Sequence, residues 1–143
     1  MLITVINGPN INFLGIREPE IYGNATYGDL CKIIEEKCSA LGIEAEIFQS
    51  NHEGEIIDKI QSCYKRADAI IINPGGYTHY SVAILDALKS VNIPYIEVHL
   101  SDINEREEFR RVSITGMAAK KIIAGKGIAG YIEAIEELMK NAL

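Results

Sequence analysis

The amino-acid sequence predicts an α/β fold, a doubly wound parallel sheet of five strands with helices on both faces. Short apolar runs alternate with segments of helical periodicity, which is the pattern of successive β–α–β units. Three of the runs are almost continuous in apolar or β-branched residues, as expected of strands that are buried on both faces. The chain of 143 residues is long enough for one domain, residues 1–143, and too short for two ordinary ones.

The apolar runs give the strands, and the segments between and after them give the helices. In chain order, the predicted strands are LITVI at 2–6, IEAEIF at 43–48, AIIIN at 69–73, PYIEV at 94–98 and KIIAG at 121–125. The predicted helices cover 28–42, 53–67, 79–90, 105 to about 111, and 130–143. These elements fit a flavodoxin-like sheet in the order 2-1-3-4-5, in which a ligand crevice opens beyond the carboxyl ends of strands 1, 3 and 4.

Composition and charge limit the classes of partner. The formal net charge is −6 and the isoelectric point is about 5.1, so the chain has no basic field for a nucleic-acid backbone. It begins MLITVING without a basic targeting segment, and no apolar run approaches the roughly 18 residues of a membrane span. The three cysteines form no CxxC pair and are interpreted as core residues in a reducing compartment. We expect a soluble, cytoplasmic protein with no nucleic-acid or membrane partner.

An irregular segment at 8–27 follows the first strand and is longer than the usual connection, which indicates a lid or binding loop. Its REPEIYG stretch, residues 17–23, has two interpretations. The first is a solvated turn. In the second, the loop carries a base and its activator: a tyrosine has a free pKa of about 10, and an arginine within roughly 4 to 6 Å favours the phenolate. Tyr22 would then be the base and Arg17 the cation.

Polar side chains collect where strands 1, 3 and 4 end. We expect them to converge on one crevice: Asn7, Asn10, Arg17, Tyr22, Asn73, Thr78, His79, His99, Ser101 and Arg110. The turns at the opposite edge of the sheet, at 41–44 and 91–94, carry no comparable set.

The fourth strand adds a specific pair. Its period of two places Glu97 and His99 on one face. A carboxylate bonded to one ring nitrogen fixes the tautomer and orientation of a histidine, which prepares it to give or take a proton. A structural ion pair is the alternative. Combined with a tyrosinate base, a histidine acid indicates proton abstraction at carbon and protonated loss of an oxygen leaving group.

Cofactor and metal sites have little support in the sequence. The NPGG segment at 73–76 allows close approach of an anion, but it matches neither GxxxxGK[ST] nor GxGxxG. The histidines, His52, His79 and His99, lie on different loops without a cysteine at ligand spacing. We expect neither a cofactor nor a metal.

Four motifs, in their order and spacing, closely resemble type II 3-dehydroquinate dehydratase: NGPNINFLGIREPEIYG, QSNHEGEIID, INPGGYTHYSVAILDAL and IPYIEVHLSDINEREEFR. The resemblance covers nearly the whole chain. It implies a flavodoxin-like subunit assembled as trimers within a dodecamer. It also implies a cofactor-free trans dehydration of 3-dehydroquinate to 3-dehydroshikimate, a step that serves both the shikimate pathway and quinate breakdown.

By motif position, the resemblance also implies the catalytic roles. Tyr22 would remove a proton from carbon 2, and Arg17 would lower the pKa of Tyr22 and stabilise the developing charge. Asn10 would help to hold a water against the enolate oxygen. His99, oriented by Glu97, would protonate the departing carbon 1 hydroxyl.

Substrate contacts carry over in the same way. Asn73, the backbone N–H groups of Leu100 and Ser101, and the Ser101 hydroxyl would hold the carboxylate and neighbouring groups. His79 and Arg110 would bind the ring hydroxyls.

Asp86 matches a family position that reaches a neighbouring subunit's site, although an aspartate on an exposed helix face is also ordinary. Many relatives differ at Phe13 in the mobile loop, at Asp102 beside the proposed carboxylate pocket, and at Asn104. We expect Phe13 to alter loop closure and Asp102 to add negative charge near the ligand. These departures bear on affinity more than on the reaction.

Two other classes of function stay open. A flavodoxin-like module could bind flavin phosphate or another phospho-ligand without catalysis, but it would need a phosphate-sized loop with hydroxyls after strand 1. An inactive scaffold on the same fold should lack part of the acid and base set, which this sequence retains.

Overall fold

In a computed structural model, the protein folds around a five-stranded parallel sheet in the order β2-β1-β3-β4-β5. The structure describes residues 1–16, 18–22 and 24–141, with the side chain of Tyr22 excepted. The strands are β1 (Leu2–Asn7), β2 (Glu44–Gln49), β3 (Ala69–Asn73), β4 (Tyr95–His99) and β5 (Lys121–Ala124). The predicted fold class and strand order are confirmed, and the strand boundaries are close to those predicted.

Helices cover both faces of this sheet. They are α2 (Tyr27–Ala40), α3 (Glu53–Ser62), α4 (Val82–Val91) and α5 (Ala129–Asn141), while the short helix α1 (Pro19–Tyr22) lies in the connection between β1 and α2. Helix α4 begins later than predicted, because Gly75–His79 forms a separate 3-10 turn and the hydroxyl of Ser81 caps α4 by accepting a hydrogen bond from Ile84 N at 3.0 Å. Across the described residues, no helix is both long and apolar enough to span a membrane.

Alternating apolar side chains explain why both faces are covered. On β3, Ala69 and Ile71 belong to one buried cluster, and Ile70 and Ile72 belong to another. Helices α2 and α5 pack on the first face, and α3 and α4 pack on the second. Strands β3 and β4 are buried at every position, as expected for the centre of a parallel sheet.

The segment predicted as a helix from 105 to about 111 is instead two 3-10 turns, Ile103–Glu105 and Glu108–Arg110. Arg106 lies between them with φ −93° and ψ −175°. This extended conformation interrupts the helical backbone, so the helix prediction is wrong here. The charged residues after β4 therefore lie on an irregular connection beside the end of the strand.

The ends of the central strands set the position of the site. Asn7 and Asn73 are register partners at the ends of β1 and β3, and His99 ends β4. Because these strands are parallel, the three polar side chains lie at one edge of the sheet.

Candidate active site

A cavity of about 170 Å³ opens at the carboxyl ends of the central strands. Many of the residues predicted to form a site line it: Asn10, Asn73, His79, His99, Leu100, Ser101 and Arg110. Residues far apart in the sequence are thus brought together in one crevice. Arg17 lies outside the described residues, as does the side chain of Tyr22, so their roles stay predictions.

His99 and Glu97 form a buried hydrogen-bonded pair. The Nε2 atom of His99 lies 2.8 Å from Oε2 of Glu97, and the two side chains are almost fully enclosed. Because a carboxylate only accepts, Nε2 carries the hydrogen, and Nδ1 is the ring nitrogen left for a ligand. The structure shows the contact that the strand periodicity predicts, and the role of the pair in proton transfer remains a prediction.

Three hydroxyl groups surround the Glu97 carboxylate. Thr78 Oγ1 lies 3.0 Å from Oε2 of Glu97, Ser113 Oγ donates to the same oxygen, and Thr115 Oγ1 donates to Oε1. Burial by itself raises the pKa of Glu97. The hydrogen bond and electrostatic attraction of His99, together with the hydrogen bonds from Ser113 and Thr115, outweigh burial and lower that pKa below its ordinary value. Thr78, which we expected in the crevice, is instead fully buried against this carboxylate.

His79 is positioned to act as a neutral ligand-binding group. Its Nδ1 atom lies 2.8 Å from the carbonyl oxygen of Val112, so Nδ1 donates and Nε2 is free to accept. Partial burial lowers the pKa of His79, and the nearby charges of His99 and Arg110 lower it further against the opposing effect of the Val112 hydrogen bond. The lowered pKa favours the neutral ring, in which Nε2 can accept a hydrogen bond from a hydroxyl.

Close packing of two glycines holds the loops after β1 and β3 together. A Cβ atom at Gly8 would lie 2.4 Å from the carbonyl oxygen of Pro74. Gly75 has φ +63°, and a Cβ atom there would lie 2.9 Å from the carbonyl oxygen of Pro9. Gly8 N also donates to Asn73 O at 2.8 Å. Larger residues at either glycine would separate the loops that form the edge of the cavity.

The QSN stretch, residues 49–51, holds the backbone of Asn10. Asn10 adopts a left-handed conformation with φ 71°, which asparagine tolerates better than most residues. Its N–H donates to Asn51 Oδ1 at 3.1 Å. Gln49 Nε2 donates to the same oxygen and to Gly8 O, both at 3.2 Å. The sequence marks this stretch as a motif without giving it a role, and the structure shows that it supports a cavity-lining residue.

Comparison with known proteins gives the family. The model of the dehydroquinase class II family matches residues 1–139. The chain belongs to this family. A relative from Clostridium acetobutylicum, named 3-dehydroquinate dehydratase, is 59% identical over 143 residues, which cover 100% of this chain and 99% of the relative.

Solved structures of class II family members have the same fold. The type II dehydroquinase of Butyrivibrio crossotus has a TM-score of 0.96 and 58% identity, covering 97% of each chain. The type II dehydroquinase of Propionibacterium acnes has a TM-score of 0.93 and 40% identity, covering 97% of this chain and 96% of that one. The fold class and the family resemblance predicted from the motifs are both confirmed.

In this class II family member, sequence reasoning missed Arg106, which also lines the cavity. Its Nη1 atom donates to Ser101 Oγ at 3.1 Å. Because the hydroxyl oxygen accepts from Arg106, the hydroxyl hydrogen is left for a ligand. The sequence does contain a signal for Arg106, because in the REEFR stretch it precedes Arg110, a predicted substrate-binding residue, by four positions.

The departures from the dehydroquinase pattern, Phe13, Asp102 and Asn104, are not among the residues that line the cavity. Asp102 Oδ1 accepts a hydrogen bond from Asn104 N at 2.9 Å, so the added carboxylate caps its own turn. Phe13 is 52% exposed in the loop after β1.

Asp86 is exposed on α4 and is not among the residues that line this cavity. Within the described ranges, no group of three or more His, Cys, Asp or Glu side chains is placed to hold a metal ion.

Proposed function

We propose that this protein is a hydro-lyase that removes water from 3-dehydroquinate in a trans elimination to give 3-dehydroshikimate. The observation that carries the proposal is the His99–Glu97 pair beside a cavity lined by Asn73, His79 and Arg110, in a chain of the dehydroquinase family. In its imidazolium form His99 can deliver the proton on Nδ1, the nitrogen that does not face Glu97, and the cavity supplies polar groups for a small polyhydroxy acid.

Both the base and the acid of the proposed elimination are side chains of this protein. Tyr22, as phenolate, takes the proton from carbon 2, and the electron pair moves onto the neighbouring ketone oxygen to form an enolate. Arg17 favours the phenolate, and Asn10 holds a water that donates to the enolate oxygen. The enolate collapses to form the carbon 1 to carbon 2 double bond, while His99 protonates the carbon 1 hydroxyl, which leaves as water.

Substrate binding divides between the two ends of the ligand. Asn73, the Ser101 hydroxyl and the backbone N–H groups of Leu100 and Ser101 bind the carboxylate. Arg110 donates to one ring hydroxyl, and the neutral His79 ring accepts from another. The lowered pKa of His79 supports this assignment, because a protonated ring could not accept.

We further propose that the chain acts as a single catalytic domain and assembles as a dodecamer of four trimers in the cytoplasm. The exposed side chains of Tyr80 and Val82 at the start of α4, 65% and 57% accessible, give apolar area for contact with a second copy. In that assembly Asp86, on the same helix, reaches a neighbouring subunit's site. We place the reaction in the shikimate pathway to aromatic amino acids, with quinate breakdown as the alternative.

A direct assay tests the function. The purified protein, treated to remove metals, is mixed with 3-dehydroquinate, and the ultraviolet absorbance of the conjugated enone product is followed. We expect turnover with the wild type and a loss of kcat of at least about 10²-fold with Tyr22→Phe, the range expected for a missing acid or base. Tyr64→Phe, at an exposed tyrosine, is the matched control. No turnover by folded wild-type protein would favour a binding module on the same fold.

A further inference from the structure

A buried hydrogen-bond network joins helix α5 to the end of β3. Tyr131, on α5, is fully buried, as is Asn7 at the end of β1. The Tyr131 hydroxyl donates to Asn7 Oδ1 at 2.7 Å, and Asn73 Nδ2 donates to the Tyr131 oxygen at 3.1 Å. Asn73 Oδ1 accepts from Gly75 N at 3.1 Å. Only Asn73 among these three side chains lines the cavity, so the network reaches the site through its amide.

The direction of every hydrogen bond in the network is determined by one group. Gly75 N can only donate, so the oxygen of the Asn73 amide must face it. The amide nitrogen of Asn73 then faces Tyr131, whose oxygen must accept. The hydroxyl hydrogen of Tyr131 is therefore directed to Asn7. Burial raises the pKa of Tyr131, which keeps that hydrogen in place.

The backbone of α5 approaches the sheet closely enough for Tyr131 to reach the strand ends. A Cβ atom at Gly130 would lie 3.3 Å from Val98 Cγ1 and 3.4 Å from Ile123 Cγ2. A side chain at this position would require these neighbours or the helix to shift by a few tenths of an ångström. The close packing at Gly130 thus helps to place Tyr131, the next residue, beside the strand ends.

We propose that Tyr131 is a positioning residue, which holds the Asn73 amide so that its second amide hydrogen faces the cavity and binds the carboxylate of the ligand. This inference rests on the proposed function, in which Asn73 binds that carboxylate. One amide hydrogen is used by Tyr131 and the oxygen is used by Gly75. If the amide turned over, its nitrogen would face Gly75 N, donor against donor, and the Tyr131 hydroxyl would have to give up its bond to Asn7 in order to donate to the amide oxygen.

Tyr131→Phe tests the proposal, because it removes the hydroxyl and keeps the buried ring. We expect KM for 3-dehydroquinate to rise about tenfold, which corresponds to about 1.4 kcal/mol, with kcat changed less than about twofold. Ile135→Val is the matched control, since Ile135 is fully buried one turn further along α5 and trimming it loosens the same packing without touching the polar network. An equal rise of KM in the control, or no rise in Tyr131→Phe, would overturn the proposal.

A double-mutant cycle separates positioning from general packing. Asn73→Ala and the Asn73→Ala/Tyr131→Phe double variant should have the same KM, because Tyr131 acts through Asn73; additive effects would contradict this. Asn7→Ala, which removes the acceptor for the Tyr131 hydroxyl, should also raise KM, and an unchanged KM would count against the network.

A crystal structure of Tyr131→Phe gives a readout that does not depend on turnover. A shifted or disordered Asn73 side chain is expected, because only the bond from Gly75 N then holds the amide. A side chain that keeps its wild-type position and order would overturn the inference. Wild-type protein without turnover would instead overturn the proposed function, so the two failures are distinguishable.

Discussion

The carboxylate of Glu97 lies 2.8 Å from Nε2 of His99 in a site where both side chains are buried. A buried carboxylate ordinarily tends toward its neutral form. Here the hydrogen bonds donated to it lower its pKa, so the charge persists beside the ring. The hydrogen bond between His99 and Glu97 therefore both orients the His99 ring and helps to keep the Glu97 carboxylate charged.

Glu97→Gln should impair His99 while the fold is retained. The amide keeps the shape of the carboxylate but removes its charge, and its NH₂ group cannot accept from the histidine or the hydroxyls. We expect kcat to fall by about 10- to 100-fold with an unchanged circular dichroism spectrum. Glu105→Gln, at an exposed glutamate, is the control. Normal turnover in the Glu97 variant would reduce the pair to a structural contact.

Thr115→Val should change the acid stability of the protein. Thr115 Oγ1 donates to Glu97 Oε1, so its loss raises the folded-state pKa of Glu97. A carboxyl group with a lowered folded-state pKa contributes stability above its unfolded pKa, and that stability is lost as the pH falls through the folded value. The variant should therefore lose stability at higher pH during acid titration. It should also lose about 1.5–3 kcal/mol at pH 7, the usual contribution of a hydrogen bond to a charged group.

Thr4→Val is the matched control for that experiment. Thr4 is fully buried on β1, and among the described residues its hydroxyl has no hydrogen-bond partner. Removing this hydroxyl should leave the protein equally stable or make it more stable, because an unpaired polar group is costly to bury. Acid unfolding of the two variants is followed by circular dichroism. The same unfolding pH in both variants would contradict the role of Thr115.

The sheet was predictable because its signals are local. Runs such as AIIIN at 69–73 are apolar at nearly every position, and only a strand covered on both faces suits that pattern. The helix predicted from 105 to about 111 was wrong, since Arg106 takes an extended conformation that charge spacing does not reveal. Instead of continuing a helix, Arg106 donates a side-chain hydrogen bond to Ser101, close to the end of β4.

The candidate site was predictable in part for a similar reason. The pair of Glu97 and His99 follows from strand periodicity within one element. By contrast, Tyr131 contacts Asn7 across 124 positions of the chain, and a buried tyrosine on an amphipathic helix looks like ordinary core. Such contacts between distant elements need the fold before they can be seen.

Arg17→Ala should move the pH dependence of activity toward higher pH. Without the cation, the Tyr22 phenol returns toward its free pKa of about 10, so less phenolate is present near neutral pH. The pH profile of kcat measures this directly. Arg66→Ala is the control, because Arg66 pairs with Glu46 on the β2 edge of the sheet. If the pH profile of kcat is the same in Arg17→Ala as in the wild type, Arg17 does not activate the base.

Asp86→Ala should lower kcat/KM about tenfold without changing the free energy of unfolding, if the side chain reaches a neighbouring subunit's site as proposed. Lys89→Ala, at an exposed position on the same helix, is the control. The assembly itself should have a mass of about 190 kDa in light scattering, twelve times the 15.8 kDa chain.

Mixed oligomers distinguish a contribution to the neighbouring site from one to its own site. When Asp86→Ala chains are co-expressed with His99→Ala chains, some sites combine an intact His99 from one chain with an intact Asp86 from the other. If Asp86 acts across the interface, activity per Asp86→Ala chain rises above that of the pure variant. If it acts within its own chain, mixing restores nothing, since every site with an intact His99 then lacks Asp86. A small monomeric mass would also contradict the proposal, because no neighbouring site would exist for Asp86 to reach.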